Sequence, residues 1–219
     1  MLTDPREIEI ISRARQKNVR LPTRSRQHFV NIFDDFFDQI SFDEGPIIDL
    51  GPGHYDFGVI ATERGATDVL GFDNDEAVLE LGRHKGFRTV SGKIQEVSSS
   101  TLNETFSGVF NKFALNSFWF FDNQSAQIEF VDRIAGLIKP NGWGWIAPWN
   151  GIPKKAELND DEISDILQTQ ARRFEHHGFE AFDLTAELSA RYGVTGSVAN
   201  NAIFTKGLNT DCLRYCKKL

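Results

Sequence analysis

A carboxylate followed by a glycine-rich turn is the feature of this chain best suited to bind a ligand. Residues 47–53 read Ile-Ile-Asp-Leu-Gly-Pro-Gly, an apolar run that ends at Asp49 and turns through Gly51 and Gly53. A second run, Val-Leu-Gly-Phe-Asp, ends at Asp73. In a doubly wound sheet such strand ends meet at one edge, and glycine lets the backbone approach a ligand closely. Two carboxylates at that edge suit one ligand that carries an amine and a sugar diol.

Helices and strands alternate along the chain, which predicts a mostly parallel sheet covered on both faces. Apolar spacing predicts helices at 28–40, at 125–138 and from Asn159 to about Gly178. The predicted strands are 46–50, 68–73, 88–90, 108–114, 143–148, 179–184 and 202–206. We expect one domain over 1–219, with an N-terminal helical lid or extension at 1–44, a core at 45–206 and a C-terminal tail at 207–219.

Composition and charge exclude several classes of partner. The net charge of -7 gives an acidic surface that disfavours nonspecific binding to nucleic acid. No apolar run approaches the roughly 18 residues of a transmembrane helix, so we expect no membrane partner. Two cysteines, Cys212 and Cys216, are too few for a disulfide framework or a metal site and favour a cytoplasmic location. A homodimer stays open.

The N-terminal segment is basic, unlike the rest of the chain. Seven basic residues against three acidic ones give the first 26 residues a charge of +4, which leaves -11 for the remainder. One interpretation is a solvated helical face. The other is a lid that attracts an acidic substrate or holds a cofactor down.

These residues resemble the class I S-adenosylmethionine-dependent methyltransferases. Their Asp/Glu-x-Gly-x-Gly-x-Gly loop is similar to residues 49–55, and their ribose-binding acid is similar to Asp73. Their fourth strand resembles 106–116, and their Lys-Pro-Gly-Gly turn with its flanking helix and strand resembles 135–145. The likeness covers about 45–206 and implies a three-layer Rossmann-like sheet, mostly parallel with an antiparallel last strand.

The resemblance implies S-adenosylmethionine as the cofactor and places its contacts at strand ends. The implied cofactor-binding residues are Asp49, Gly51, Gly53, Tyr55, Asp73, Asn74, Ile94 and Asn111. Asp49 would orient the methionine ammonium, and Asp73 would accept hydrogen bonds from both ribose hydroxyls. Tyr55 stands at the third glycine position, where an aromatic ring can wall the site. Because Ile94 replaces an acidic contact to adenine, a backbone carbonyl or Gln95 would hold the adenine amine.

Methyl transfer from a sulfonium needs alignment, and it needs a base only where the acceptor must lose a proton. The candidate catalytic residues near the methyl group are His54, Lys112 and Asn116. Trp119 and Trp149 follow strand ends and are predicted to wall the acceptor. Nothing resembles the Asn/Asp-Pro-Pro-aromatic sequence of enzymes that methylate base or amide nitrogens. We therefore expect a small-molecule acceptor, with a glycan or a secondary metabolite among the options.

Two rival functions stay open. A nicotinamide-dependent oxidoreductase has a Gly-x-Gly-x-x-Gly loop, but Asp56 stands at its last position here. A carboxylate at that helix start would compete with pyrophosphate for the positive end of the helix dipole. The second rival is a noncatalytic protein that binds S-adenosylmethionine and acts through partners.

Overall fold

One eight-stranded sheet organises the chain. The computed structural model describes residues 4–17, 41–112, 114, 120, 122–147, 159–184, 202–206 and 215–216. The strands are β1 Ile47–Leu50, β2 Val69–Asp73, β3 Arg88–Ser91, β4 Phe106–Lys112, β5 Ile138–Ala147, β6 Phe179–Leu184, β7 Ala202–Lys206 and β8 Tyr215–Cys216. Their spatial order is β3-β2-β1-β4-β5-β7-β6-β8.

Strand directions confirm the predicted fold class. β1 pairs in parallel with β2 and with β4, and the parallel pairing extends to β3 and β5. β7 is antiparallel to both of its neighbours, β5 and β6. This is the antiparallel strand that the resemblance implied. The predicted C-terminal tail also contributes β8, which pairs with β6.

Helices cover both faces of the sheet. They are α1 Pro5–Gln16, α2 Asp56–Glu63, α3 Glu76–His84, α4 Ser99–Leu102, α5 Gln124–Leu137 and α6 Asp160–His176, with a short 3₁₀ turn at Ile94–Glu96. Asn159 caps α6 through a reciprocal capping box with Glu162, as its sequence position predicted. The predicted helix at 28–40 lies outside the described residues. Within the described part of the chain, no helix is both long and apolar enough to span a membrane.

Two apolar layers flank the sheet because strand side chains alternate between its faces. On one face, Ile48, Leu50 and Leu70 pack against the buried side of α5. The other face includes an aromatic stack in which Phe110 lies between Phe57 and Trp145, with ring centroids 3.7 and 5.0 Å apart. All three rings are buried.

α1 packs into the protein core. Its buried residues Ile10, Ile11 and Ala14 form one apolar cluster with Tyr55 and with residues of α3. The basic residues of α1 therefore reach a neighbouring helix: Arg6 and Arg13 lie 2.7 and 2.8 Å from Glu80. This part of the segment is a helix docked on the core, and a role of the segment as a lid stays a prediction. Residues 18–26 of the same segment lie outside the described residues.

Further ion pairs fasten the start of α1 to the end of α3. His84 Nε2 lies 2.9 Å from Asp4 Oδ2, and Lys85 Nζ lies 2.7 Å from Glu7 Oε1. The ligand atoms of Asp4, Glu7 and His84 lie within 4.8 Å of one another. Because Lys85 already neutralises Glu7, we interpret this group as an ion-pair network and not as a metal centre.

The buried position of Ile10 gives a direct test of how α1 docks. Ile10→Ala should lower the free energy of unfolding by about 2–5 kcal/mol, because it leaves a cavity in the core. Ile8→Ala on the same helix is the matched control, since Ile8 is 48% exposed and Ile10 is fully buried. The control should cost no more than about 0.5 kcal/mol. Equal effects in urea titrations of the two variants would contradict the docking.

Candidate functional site

Three of the predicted site residues meet at the carboxyl edge of the sheet. Asp49 lies one residue before the end of β1, Asp73 ends β2, and Asn111 lies one residue before the end of β4. β1 runs between the other two strands, so that Leu50 is in register with Phe72 and with Asn111. The loops after these strands therefore open on one side of the sheet, where doubly wound folds bind ligands.

Gly51 holds the turn after β1 tightly against the protein. Its N–H donates to the carbonyl of Phe72 at 2.9 Å, which continues the pairing with β2. Its φ is +72°, and a Cβ added there would lie 2.1 Å from the Cβ of Ala114. A side chain at Gly51 would thus clash with the protein itself. The requirement for glycine at this position does not by itself indicate a ligand.

Gly53 differs from Gly51 in what surrounds it. Its φ is +54°, and no described atom lies within 4 Å of the position that a Cβ would occupy. Among the described residues, none fills the space beside this backbone. This is the part of the turn that can approach a ligand closely.

Asp49 is a buried carboxylate with one oxygen that no described residue satisfies. It is 2% exposed, and its Oδ2 has no hydrogen-bond partner among the described residues. Burial raises the pKa of this carboxyl well above its usual value, and the nearby charges of Asp56 and Asp73 raise it further. Such a group is costly in the folded protein and needs a donor or a cation to satisfy it.

Asp73 is partly buried and preoriented by the turn that follows it. Its Oδ1 accepts a hydrogen bond from the N–H of Asp75 at 2.8 Å. Burial raises the pKa of Asp73, while the same backbone hydrogen bond lowers it. A carboxylate offers about four acceptor sites in all, so Asp73 can still accept hydrogen bonds from a ligand. Asn74, the next residue, is exposed.

Asn111 and Ile94 both contact the glycine turn or the strand before it. Asn111 is fully buried, and its Nδ2 donates to the carbonyl of Leu50 at 2.5 Å. It therefore ties β4 to β1 immediately before Gly51. Ile94 is half-buried, with its Cδ1 3.4 Å from the Cβ position of Gly51. Both residues are placed to shape the turn.

A helix residue that sequence reasoning missed fixes the segment around Ile94. Arg133 of α5 donates from Nη2 to the carbonyl of Gln95 at 3.0 Å. That carbonyl is one of the groups considered for holding an adenine amine, and it already has a donor. No local signal indicates this contact, because the two residues are 38 positions apart.

Tyr55 does not present its ring to an open site. It is fully buried in the apolar cluster with α1 and α3 and stacks on Phe87 with centroids 5.2 Å apart. Helices α1 and α3 cover the ring, so a contact between this ring and a ligand stays a prediction. Its backbone still shapes the turn: φ is +62°, and its N–H donates to the carbonyl of Pro52 at 2.8 Å.

The predicted catalytic and acceptor residues are described only in part. His54 is 6% exposed, and its charged form lowers the pKa of Asp56, which burial raises. Lys112 ends β4, and only its backbone is described. Asn116, Trp119 and Trp149 lie outside the described residues.

Comparison with known proteins identifies the fold. No protein-family model matches the chain, and no curated protein matches it. Solved structures do match the chain. SAM-bound CalS10, an amino pentose methyltransferase from Micromonospora echinaspora, has a TM-score of 0.55 at 15% identity. The match covers 94% of this chain and 98% of the CalS10 chain. A TehB-like SAM-dependent methyltransferase from Corynebacterium glutamicum has a TM-score of 0.52 at 16% identity, covering 92% and 98%. DesVI from Streptomyces venezuelae has a TM-score of 0.55 at 11% identity, covering 94% and 99%.

The chain therefore has the fold of S-adenosylmethionine-dependent methyltransferases. The likeness spans nearly the full length of both partners in each pair. The sequence resemblance had pointed to the same fold.

Neutralising Asp49 should make the protein more stable. The pKa of Asp49 is raised in the folded protein, so folded stability falls as pH rises from the ordinary carboxyl value through the raised one. We expect Asp49→Asn to raise the free energy of unfolding near pH 8, because the amide removes a negative charge that burial and the neighbouring carboxylates make unfavourable. The gain should shrink as the pH falls towards 4.

Asp68→Asn is the control for this measurement. Asp68 lies beside β2, where its carboxylate pairs with Arg88 at 2.6 Å, so neutralising it should bring no gain in stability. Urea titrations of both variants from pH 4 to 8 make the comparison. A loss of stability in Asp49→Asn at pH 8 would show that the carboxylate has a compensating partner.

Proposed function

We propose that this protein binds S-adenosylmethionine and transfers its methyl group to a small-molecule acceptor. The observation that carries the proposal is the buried carboxylate of Asp49, whose Oδ2 has no hydrogen-bond partner among the described residues, close to Asp56 and Asp73. Three carboxylates around one strand end favour a positively charged ligand. S-adenosylmethionine carries an ammonium and a sulfonium, and the fold is the one its methyltransferases use.

The same charges argue against a dinucleotide. A pyrophosphate would have to approach Asp49 and, at the N-terminus of α2, Asp56. Both carboxylates would repel it, and Asp56 already occupies the positive end of that helix. The acidic groups at this strand end therefore distinguish S-adenosylmethionine from a dinucleotide more clearly than the glycine spacing does.

Each cofactor group has a matching protein group. Asp49 accepts from the methionine ammonium, the open backbone at Gly53 passes close to the cofactor, and Asp73 accepts from the ribose hydroxyls. Ile94 supplies an apolar contact for adenine, with Asn74 beside it. Asn111 acts indirectly, since its amide fixes the carbonyl of Leu50.

Methyl transfer requires alignment of the acceptor more than it requires proton transfer. The bound cofactor supplies an electrophilic methyl group with a neutral leaving group, so the protein's main task is to hold the acceptor in line. Where the acceptor must lose a proton, His54, Lys112 and Asn116 are the candidate groups to receive or orient it. Trp119 and Trp149 are the proposed acceptor wall.

The acceptor is proposed to be a small molecule such as a glycan or a secondary metabolite. One structural neighbour, CalS10, is an amino pentose methyltransferase involved in calicheamicin biosynthesis. The net charge of -7 also disfavours a polyanionic nucleic acid as the acceptor. Both points support a small molecule over DNA or RNA.

Calorimetry with S-adenosylhomocysteine and with NAD⁺ tests the cofactor class. We expect micromolar binding of the nucleoside and none of the dinucleotide. The reverse result would overturn the proposal. Transfer of a labelled methyl group to a panel of amino sugars and other metabolites then tests catalysis. Cofactor binding without turnover on the panel would favour the noncatalytic alternative.

Asp73 is expected to carry much of the cofactor affinity. Asp73→Ala removes hydrogen bonds to the ribose, each worth about 1.5–3 kcal/mol when charge-assisted, and should weaken S-adenosylhomocysteine binding well over tenfold. Asp68→Ala, beside the opposite end of β2, should leave the affinity unchanged while it loses the Arg88 ion pair. Unchanged affinity in a folded Asp73→Ala protein would remove this carboxylate from the site.

Gly53 tests whether the backbone approaches a ligand. Gly53→Ala adds a methyl group that meets no described atom, so strain should cost only about 1–2 kcal/mol of stability. Gly86→Ala is the matched control, because Gly86 also has a positive φ, of +87°, and open space at its Cβ. Both variants should lose similar stability in thermal unfolding. Only Gly53→Ala should lose cofactor affinity in calorimetry, and equal affinities would place the ligand elsewhere.

A further inference from the structure

Two buried polar atoms that have no hydrogen-bond partner among the described residues lie in the same layer of the protein. They are Oδ2 of Asp49 and the hydroxyl of Tyr55. Asp49 is 2% exposed and Tyr55 is fully buried. Buried polar groups in folded proteins nearly always have hydrogen-bond partners. Two unsatisfied groups in one layer therefore call for a common explanation.

Strand register places these two groups next to each other. Asp49 of β1 is paired with Gly71 of β2, and paired residues of neighbouring strands project from the same face. A Cβ on Gly71 would lie 2.4 Å from the hydroxyl oxygen of Tyr55. The hydroxyl thus occupies the position of the missing side chain beside Asp49. Gly82 of α3 leaves space for it from the other side, with its Cβ position 2.2 Å away.

The Tyr55 ring is fixed in this position. It stacks on Phe87 at an interplanar angle of 6°, and Ile10, Ile11 and Ala14 of α1 lie in the same cluster. Its backbone is in the left-handed region at the N-cap of α2. The hydroxyl therefore stays beside Asp49 and cannot turn to solvent.

We propose that Tyr55 is a positioning residue for Asp49, with its hydroxyl donating through one buried water molecule to Oδ2 of the carboxylate. The link fixes the plane of the carboxylate and leaves it directed at the cofactor. This role rests on the proposed cofactor function. The electrostatics agree with the proximity, because after burial the charge of Asp49 is the largest influence that raises the pKa of Tyr55.

Other charged groups around the pair set the background of any pH dependence. Asp56 of α2 and Asp73 of β2 both raise the pKa of Asp49. Arg83 of α3 lowers the pKa of Tyr55. Glu7 of α1 and Lys85 act on Asp56 with opposite signs. A variant that changes only the hydroxyl leaves all of these groups in place.

Tyr55→Phe separates positioning from simple core packing. A hydroxyl that only fills the core is unsatisfied, so its removal would keep or raise stability and leave cofactor binding unchanged. If the hydroxyl supports the ionised carboxylate, its removal should lower stability and weaken cofactor binding. S-adenosylhomocysteine affinity should fall about three- to tenfold. The pH of half-maximal binding should rise, because Asp49 would lose a hydrogen bond that favours its charged form.

Phe87→Leu is the packing control. It disturbs the ring stacked on Tyr55 but leaves the hydroxyl in place. We expect it to lower the thermal unfolding midpoint without moving the pH of half-maximal binding, as measured by calorimetry between pH 5 and 8. Wild-type affinity and pH profile in a folded Tyr55→Phe protein would overturn the inference.

A second measurement keeps this inference separate from the proposed function. If the wild-type protein binds no S-adenosylhomocysteine, the cofactor proposal fails, but the link between the two side chains remains testable by urea unfolding at pH 8. A double-mutant cycle of Tyr55→Phe and Asp49→Asn should then show non-additive effects, since linked groups are coupled. Additive effects would overturn the link whatever the protein binds.

Discussion

The candidate site depends on one carboxylate that is held inside the protein. Asp49 lies beneath the glycine turn with Asp56 and Asp73 nearby, and burial and both charges raise its pKa. The fold places this costly group at the strand end where ligands of doubly wound sheets bind. Functional sites often lower stability in this way. A cationic ligand would compensate the buried carboxylate of Asp49. The residue that destabilises the fold is therefore also the one expected to contribute ligand affinity.

Tyr55 connects this strand end to the N-terminal helix. In the related glycine-rich loop the third position is glycine, whereas this chain places a large ring there and makes room for it with Gly71 and Gly82. The ring in turn gives α1 an apolar surface, to which Ile10 and Ile11 dock. The residue at this position of the turn is thus linked to the docking of a helix that precedes the sheet.

Local sequence patterns predicted strands and a helix cap, whereas contacts between residues distant in sequence determined the packing. Strands β1 and β2 were predicted within one residue, because an apolar run, a carboxylate and a turn are all visible in sequence. The N-cap at Asn159 was equally local. The packing of α1, the burial of Tyr55 and the contact of Arg133 with Gln95 were not predicted. Each depends on residues that only the folded chain brings together.

The aromatic stack on the same face of the sheet affects how strongly Asp49 would interact with a cationic ligand. Phe57, Phe110 and Trp145 are buried on the α2 side of β4 and β5, and Phe110 is in register with Asp49. Low polarity there strengthens any interaction between the carboxylate and a cation, and it equally increases the cost of leaving the carboxylate alone. The affinity for a cation and the destabilisation of the fold therefore both come from the carboxylate in this layer of low polarity. Changes that admit water to this layer should reduce both together.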